Sequence, residues 1–346
     1  MKKFLVSLLA IALSLVFFTA SGCAPSVPLA FNNDFNGGGG SSAEPTSLTE
    51  TLFYEVKYTD NYSDTIVKDE NITDDVIKFR FENGSYTQTL SVDGFIDESI
   101  QTDLDVQSNR IYHLTTEFAI DLVYDLNDGN GEQTYSDSII TTAHFLSASN
   151  SFAPIYSNVK VTQSYIFLPT SAEGTAKVEQ NTYEYTTVYS TDEYVIETKD
   201  SEGQTTSKTF DYDYKKVIDN TQLLFALRNV GLAPEKTCYL PTVSPSYGEA
   251  KTIKATGQEE STVQTNGLTF NGSPVDAQSV KVNNLSYLID SNTNTGAFQY
   301  VKIQREKAGN LPFKSLMMEY VEGLPSYGSF TTLGALVYTL KSVTIA

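Results

Sequence analysis

Leu52-Phe53-Tyr54-Glu55-Val56-Lys57-Tyr58 places Leu52, Tyr54, Val56 and Tyr58 on one face of an extended chain and leaves Glu55 and Lys57 on the other. Successive side chains of a strand point to opposite sides of a sheet, so this stretch reads as a half-buried β-strand. The same period of two returns at Ile77, Phe79 and Phe81, and at Tyr183, Tyr185, Thr187 and Tyr189. Asn83-Gly84 separates Ile77–Phe81 from Tyr86–Val92, and Ser201-Glu202-Gly203 separates Tyr194–Thr198 from Thr206–Tyr214. Both spacers supply residues that tolerate positive φ, so both read as antiparallel hairpin turns. Further strands are expected at Ile100–Val106, Ile111–Tyr124, Ser138–Phe145, Val159–Phe167, Ala250–Ala255, Ala277–Val282, Gln299–Gln304, Lys314–Val321 and Ala335–Ser342. Tyr, Thr and Val dominate them, as a pleated, half-buried surface favours.

One segment follows a different period. Asp219 stands where it can cap a helix, Gln222 follows in capping-box position, and Leu223, Leu224, Leu227 and Val230 fall on one face before Gly231 and Pro234. A helix of about eleven residues is predicted here. Its apolar stripe needs a partner, and a sheet is the only large one available. The expected fold is mainly β, with one continuous curved sheet and a helix laid on it. Separate sub-sheets over residues 51–215 and 216–346 are the other possibility.

The N-terminus carries a different signal. Met1-Lys2-Lys3 is a short positive region, and Phe4–Phe18 is an apolar run broken only by Ser7 and Ser14. That is the pattern of a secretory signal peptide over residues 1–22. As a helix the run reaches only about 22 Å, short of the roughly 30 Å of a bilayer core. Ala20-Ser21-Gly22-Cys23 resembles the lipobox of bacterial lipoproteins, with Ala20 where Leu is commoner. The resemblance implies cleavage before Cys23 and acylation, with palmitate or similar chains, of its sulfur and freed amine. Each buried CH₂ of those chains is worth about 0.8 kcal/mol, so two or three chains form a stable anchor. Residues 23–50 are rich in Pro, Asn, Gly and Ser, include Gly37–Gly40, and read as a flexible tether ahead of a β-rich domain at 51–346. This places the protein at the cell envelope, on the outer face of the cytoplasmic membrane or in the periplasm or outer membrane.

Charge and cysteine content restrict partners. Loss of Lys2 and Lys3 with the signal peptide moves the net charge from −19 to −21, a balance that repels nucleic acid and anionic headgroups. With Cys23 acylated, Cys238 stands alone, and it reads as a buried, inert thiol because no His or basic cluster adjoins it.

Residues 219–340 resemble exported bacterial domains of unknown function whose fold is likened to the Lol-type lipoprotein carriers. Four groups carry the resemblance: Asp219 with Leu223-Leu224-Phe225-Ala226-Leu227-Arg228, Gly257 with Glu259, Leu311-Pro312-Phe313, and Leu336-Val337-Tyr338-Thr339-Leu340. It implies an open half-barrel, a strongly curved antiparallel sheet with the helix on its concave face. An unclosed barrel leaves an apolar groove to be filled by side chains, a partner or a ligand. Under this reading Leu223, Leu224, Leu227 and Arg228 form a face toward a lipid or other amphiphile, with Arg228 at its headgroup; a solvated helix-end arginine is the alternative.

No catalytic or metal constellation emerges, and no cofactor is implied. His113 and His144 lie in strand-like segments outside any nucleophile or ligand spacing, and no Gly-x-Ser-x-Gly elbow occurs. Asp125-Leu126-Asn127-Asp128-Gly129-Asn130-Gly131 has the oxygen-rich look of a calcium loop, but the fifth, sixth and twelfth positions hold Gly129, Asn130 and Ser136, so it reads as a hairpin loop. Asp211 and Asp213 read as a solvated face opposite Tyr212 and Tyr214. Tyr183, Tyr185 and Tyr189 alternate as a sugar-binding platform does, although packing at a half-buried sheet is the commoner reason for such a pattern. The sequence therefore points to a membrane-anchored, non-enzymatic envelope lipoprotein whose curved sheet binds an apolar or amphiphilic ligand or a protein partner. A structural or adhesive surface module without a cavity, and a hydrolase, are the competing classes.

Overall fold

A computed structural model describes residues 48–59, 78–92, 102–104, 111–126, 128–146, 151–167, 177–212, 217–245, 248–289, 299–304, 315–327 and 330–346, with positions 100, 106 and 311. The expected signal peptide, Cys23 and the expected tether up to residue 47 lie outside the described residues, as do Ile77, Asn127, Asp213, Tyr214, Pro312 and Phe313.

The chain is mainly β, one large curved sheet that does not close. Its first strand, β1 (Thr49–Thr59), begins an antiparallel meander through β2 (Lys78–Val92), β3 (Ile111–Asp125), β4 (Gln133–Leu146), β5 (Pro154–Phe167), β6 (Lys177–Tyr189), β7 (Glu193–Lys199) and β8 (Thr205–Asp211). A two-residue β9 (Ile218–Asp219) precedes the helix α1 (Leu223–Arg228). The second half continues with β10 (Thr237–Val243), β11 (Ala250–Gln264), β12 (Thr269–Phe270), β13 (Ser273–Pro274), β14 (Ser279–Ile289), β15 (Gln299–Ile303), β16 (Met317–Tyr327) and β17 (Phe330–Ile345). Strands β10, β11, β14, β15, β16 and β17 pair in that order, while the β12–β13 hairpin docks parallel on Ser342 and Val343 of β17.

The two halves are joined where the last strand returns beside the first. β17 runs antiparallel to β1 from Glu50 opposite Ile345 to Thr59 opposite Ala335. Thr49 and Ala346 exchange both backbone hydrogen bonds, at 3.0 and 2.9 Å. The described strands of residues 51–211 and of 218–345 thus belong to one hydrogen-bonded sheet, joined through β1 and β17.

Bulges at Phe53/Tyr54, Glu82/Ser85, His144/Phe145 and Gln258/Ser261 interrupt the ladders. Each extra residue bends and twists its strand, which curls a long sheet onto its inner face. That face holds the main core. Leu52 and Tyr54 are 0% exposed and Val56 3%, whereas Phe53 between them is 39% exposed, as the alternation requires. The same apolar cluster takes in Phe118, Leu122, Leu285, Tyr320 and Tyr338, so both halves share one interior. Tyrosines serve there because each hydroxyl finds an acceptor or donor: Tyr54 donates to the Met317 carbonyl at 2.9 Å, Tyr287 to Tyr320 at 3.1 Å and Tyr338 to Glu322 at 3.3 Å.

Several local expectations change. Asn83-Gly84 is not a hairpin turn; β2 runs through it, and the pair forms the bulge at which register with β3 shifts. Asn83 does have positive φ (53°), so the backbone signal was real, but a bulge uses the same conformation as a turn. Ser201-Glu202-Gly203 does join β7 to β8, with Gly203 at φ 79°. The described positions of Ile100–Val106 form no strand. Thr102 donates to the Tyr189 carbonyl at 2.7 Å and Leu104 packs with Tyr189, so the apolar pattern there serves a docked loop rather than a ladder. Strand β1 also starts earlier than the expected domain boundary, with Leu48 already buried. Strand β10, absent from the expected set, carries Cys238 as its second residue.

Gly84 lies opposite Val56, and a Cβ there would sit 2.3 Å from the Val56 carbonyl oxygen. Gly84→Ala must push β1 and β2 apart in mid-sheet, and is expected to cost about 1–3 kcal/mol. Urea unfolding followed by tyrosine fluorescence measures the loss; an unchanged midpoint would contradict the register.

Candidate functional site

The helix is the focus, because the sequence placed its candidate ligand face there. It is shorter than expected: Asn220–Gln222 form a 3-10 turn and only Leu223–Arg228 are α-helical. Asp219 caps as predicted, accepting from the Thr221 N–H at 2.8 Å. Gln222 donates instead to the Phe152 carbonyl at 2.6 Å, fastening the helix to the β4–β5 turn rather than to its own start. Ser151 and Phe152 in that turn both hold positive φ (59° and 52°), a costly conformation for an aromatic residue. Phe152 is fully buried, its ring edge-on to Phe225 of the helix at 5.3 Å. Packing against Tyr112, Phe145 and Phe225 offsets that strain.

Both ends of the helical segment carry buried charge. Asp219 is 0% exposed and gathers four donors: Ser157 Oγ at 2.7 Å, Tyr189 OH at 2.5 Å, and Thr221 N and Oγ1 at 2.8 and 2.7 Å. Burial and the neighbouring Asp219 carboxylate hold the Tyr189 phenol protonated well above its ordinary range. At the other end Arg228, 4% exposed, makes a two-pronged contact with Glu50, 2% exposed, at 2.6 and 3.1 Å. Its Nε also donates to the Ser315 carbonyl at 3.0 Å. Burial works against the guanidinium charge, but the Glu50 carboxylate outweighs it and holds the Arg228 pKa above its usual value. Tyr54 beside the pair is pushed upward by burial, with Arg228 pulling the other way.

The face expected to meet a ligand is therefore largely inside the protein. Leu223 is 3% and Leu227 0% exposed within the main core, and Leu224 is partly buried against it. Arg228 is neither at a solvated helix end nor turned to a headgroup; it faces β1. The sequence reading missed Glu50, which was assigned to the tether. Continuing the alternation of Leu52 and Tyr54 back by two places it on the core face, and a carboxylate there requires a cation.

The remaining sites fall out as follows. Asp128 bonds the backbone and side chain of Asn130 within the β3–β4 loop, at 3.0 and 2.8 Å. Tyr189 is wholly buried while Tyr183 and Tyr185 are half-buried, so the three do not present one platform. Asp211 is exposed and Tyr212 half-buried, as the alternation predicted. Cys238 is partly buried, and burial pushes its thiol up to about 11. The register sets His113 directly opposite His144, two residues that the sequence separates by a hairpin. No helix among the described residues is long and apolar enough to cross a membrane. Comparison with protein-family profiles, curated proteins and solved structures finds no match to the chain.

Two outcomes test this arrangement. Arg228→Met leaves the Glu50 carboxylate buried without its cation and is expected to cost about 3–5 kcal/mol, whereas the double change Glu50→Leu, Arg228→Met should return most of the loss. A double-mutant cycle by urea unfolding reads both. In a Cys23→Ser chain, Cys238 should alkylate slowly at pH 8 and accelerate about tenfold per pH unit toward 11, since only the thiolate reacts; fast labelling at pH 8 would contradict its burial.

Proposed function

We propose that this chain is a non-catalytic lipoprotein of the bacterial envelope, anchored by acyl chains on Cys23 and acting on a protein or polymer partner through its outer surface. The observation that carries the second part is the occupied concave face. Leu223, Ala226 and Leu227 are 0–3% exposed and Arg228 is locked to Glu50, so the helix completes the chain's own core where a carrier would hold an amphiphile.

The free end of the sheet supports a surface role. Among the described residues β8 pairs only with β7, and Thr205–Thr209 are all exposed. Such an edge accepts a partner strand through main-chain hydrogen bonds, and Lys208 within it discourages pairing between copies of the chain. Residues 23–47, read from their composition as a flexible tether of about 25 residues spanning roughly 5–6 Å × √n, would hold the β-rich domain some 25–30 Å from the bilayer.

Expressed in a bacterium, the full chain should incorporate labelled palmitate and sediment with membranes, while Cys23→Ala should lose the label and become soluble after export. Native mass spectrometry of the extracted chain should show only covalent acyl mass. A second, noncovalently retained lipid would overturn the filled-face reading.

A further inference from the structure

The only two imidazoles of the 346-residue chain meet. His113 of β3 pairs directly with His144 of β4, and their ring centroids are 4.3 Å apart at an interplanar angle of 60°. Both side chains project from the face opposite Tyr112 and Leu114, away from the helix. His113 is half-buried and His144 9% exposed, and His113 Nε2 and His144 Nδ1 are both shielded from solvent. A bulge in β5, with Ile155 as its extra residue, falls opposite His144 and Phe145, and the Tyr156 ring lies 5.5 Å from that of His144.

We propose that His113 and His144 form a two-imidazole site for a divalent transition metal, Cu²⁺ above all. An imidazole nitrogen binds such an ion at about 2.0–2.1 Å. With about 1.1 Å more from nitrogen to ring centre, two rings bound cis at about 90° have centroids about 4.5 Å apart, against about 5.2 Å for a tetrahedral angle. At 4.3 Å the two rings are close enough to share one ion, and among divalent ions Cu²⁺ binds nitrogen sites most tightly. No group of three or more His, Cys, Asp or Glu side chains poised for a metal occurs among the described residues, so the site has these two imidazoles as its side-chain ligands. The chain's net charge of −19 raises the local cation concentration. This site is independent of any partner at the sheet edge.

The test uses detergent-solubilised full-length protein without a polyhistidine tag, titrated with Cu²⁺ and followed by pulsed electron paramagnetic resonance. Imidazole leaves a characteristic remote-nitrogen modulation, and here every such signal must come from His113 or His144. One bound Cu²⁺ showing two imidazoles is the expected result. His113→Gln and His144→Gln should each reduce the signal to one imidazole and weaken binding by about 10²-fold or more, as loss of one arm of a chelate does. Copper bound without imidazole modulation, or no copper bound at micromolar protein, overturns the proposal without reference to how well the variants fold.

Discussion

The buried contact between Arg228 and Glu50 is the constraint on which the rest of the interior depends. It ties the C-terminal end of the helix to the first strand, while Asp219 ties the N-terminal end to Ser157 and Tyr189 on β5 and β6. The helix is only Leu223–Arg228, too short to be stable by itself, and its position is set by what holds its ends. Two charges withdrawn from water cannot be left singly, so each fixes its partner element in register.

That clamp also explains how one sheet so large keeps a single interior. Strands β1 and β17 join the two meanders at their first and last members, with bulges turning both halves inward. The curvature brings β5 and β6 to one end of the helical segment, at Asp219, and β1 with Ser315 to the other, at Arg228. Leu223 and Leu227 fill the space between them, with Phe225 meeting the separate aromatic group of Tyr112, Phe145 and Phe152. The helix side chains occupy the concave face, and that occupancy is the basis of the proposed partner-binding reading.

Much of this architecture was legible because strands advertise themselves one residue at a time. Leu52, Tyr54 and Val56 alternate, and so do the buried positions of β3 from Leu114 to Leu122, since each strand's inner face must be apolar whatever its neighbours are. The hairpin at Gly203 was equally local. Asn83-Gly84 misled because positive φ is a property of a residue pair, and whether it yields a turn or a bulge depends on whether β1 and β3 continue alongside. Ile100–Val106 misled for the same reason: apolar spacing says that side chains are buried, not that the backbone has a strand to pair with. At the candidate site, Arg228 and the helix were visible, but Glu50 was hidden in a segment whose composition resembles a tether.

The sequence by itself determined the class of the fold, the position of the helix and the acidic surface, because periodicity, capping residues and charge act over a few neighbours. Only the tertiary structure decided that Arg228 meets Glu50 across most of the chain, that the helix face is interior, and that His113 faces His144. Those pairings come from sheet register and curvature, which are set by the sum of many bulges and ladders and leave no mark at any one position.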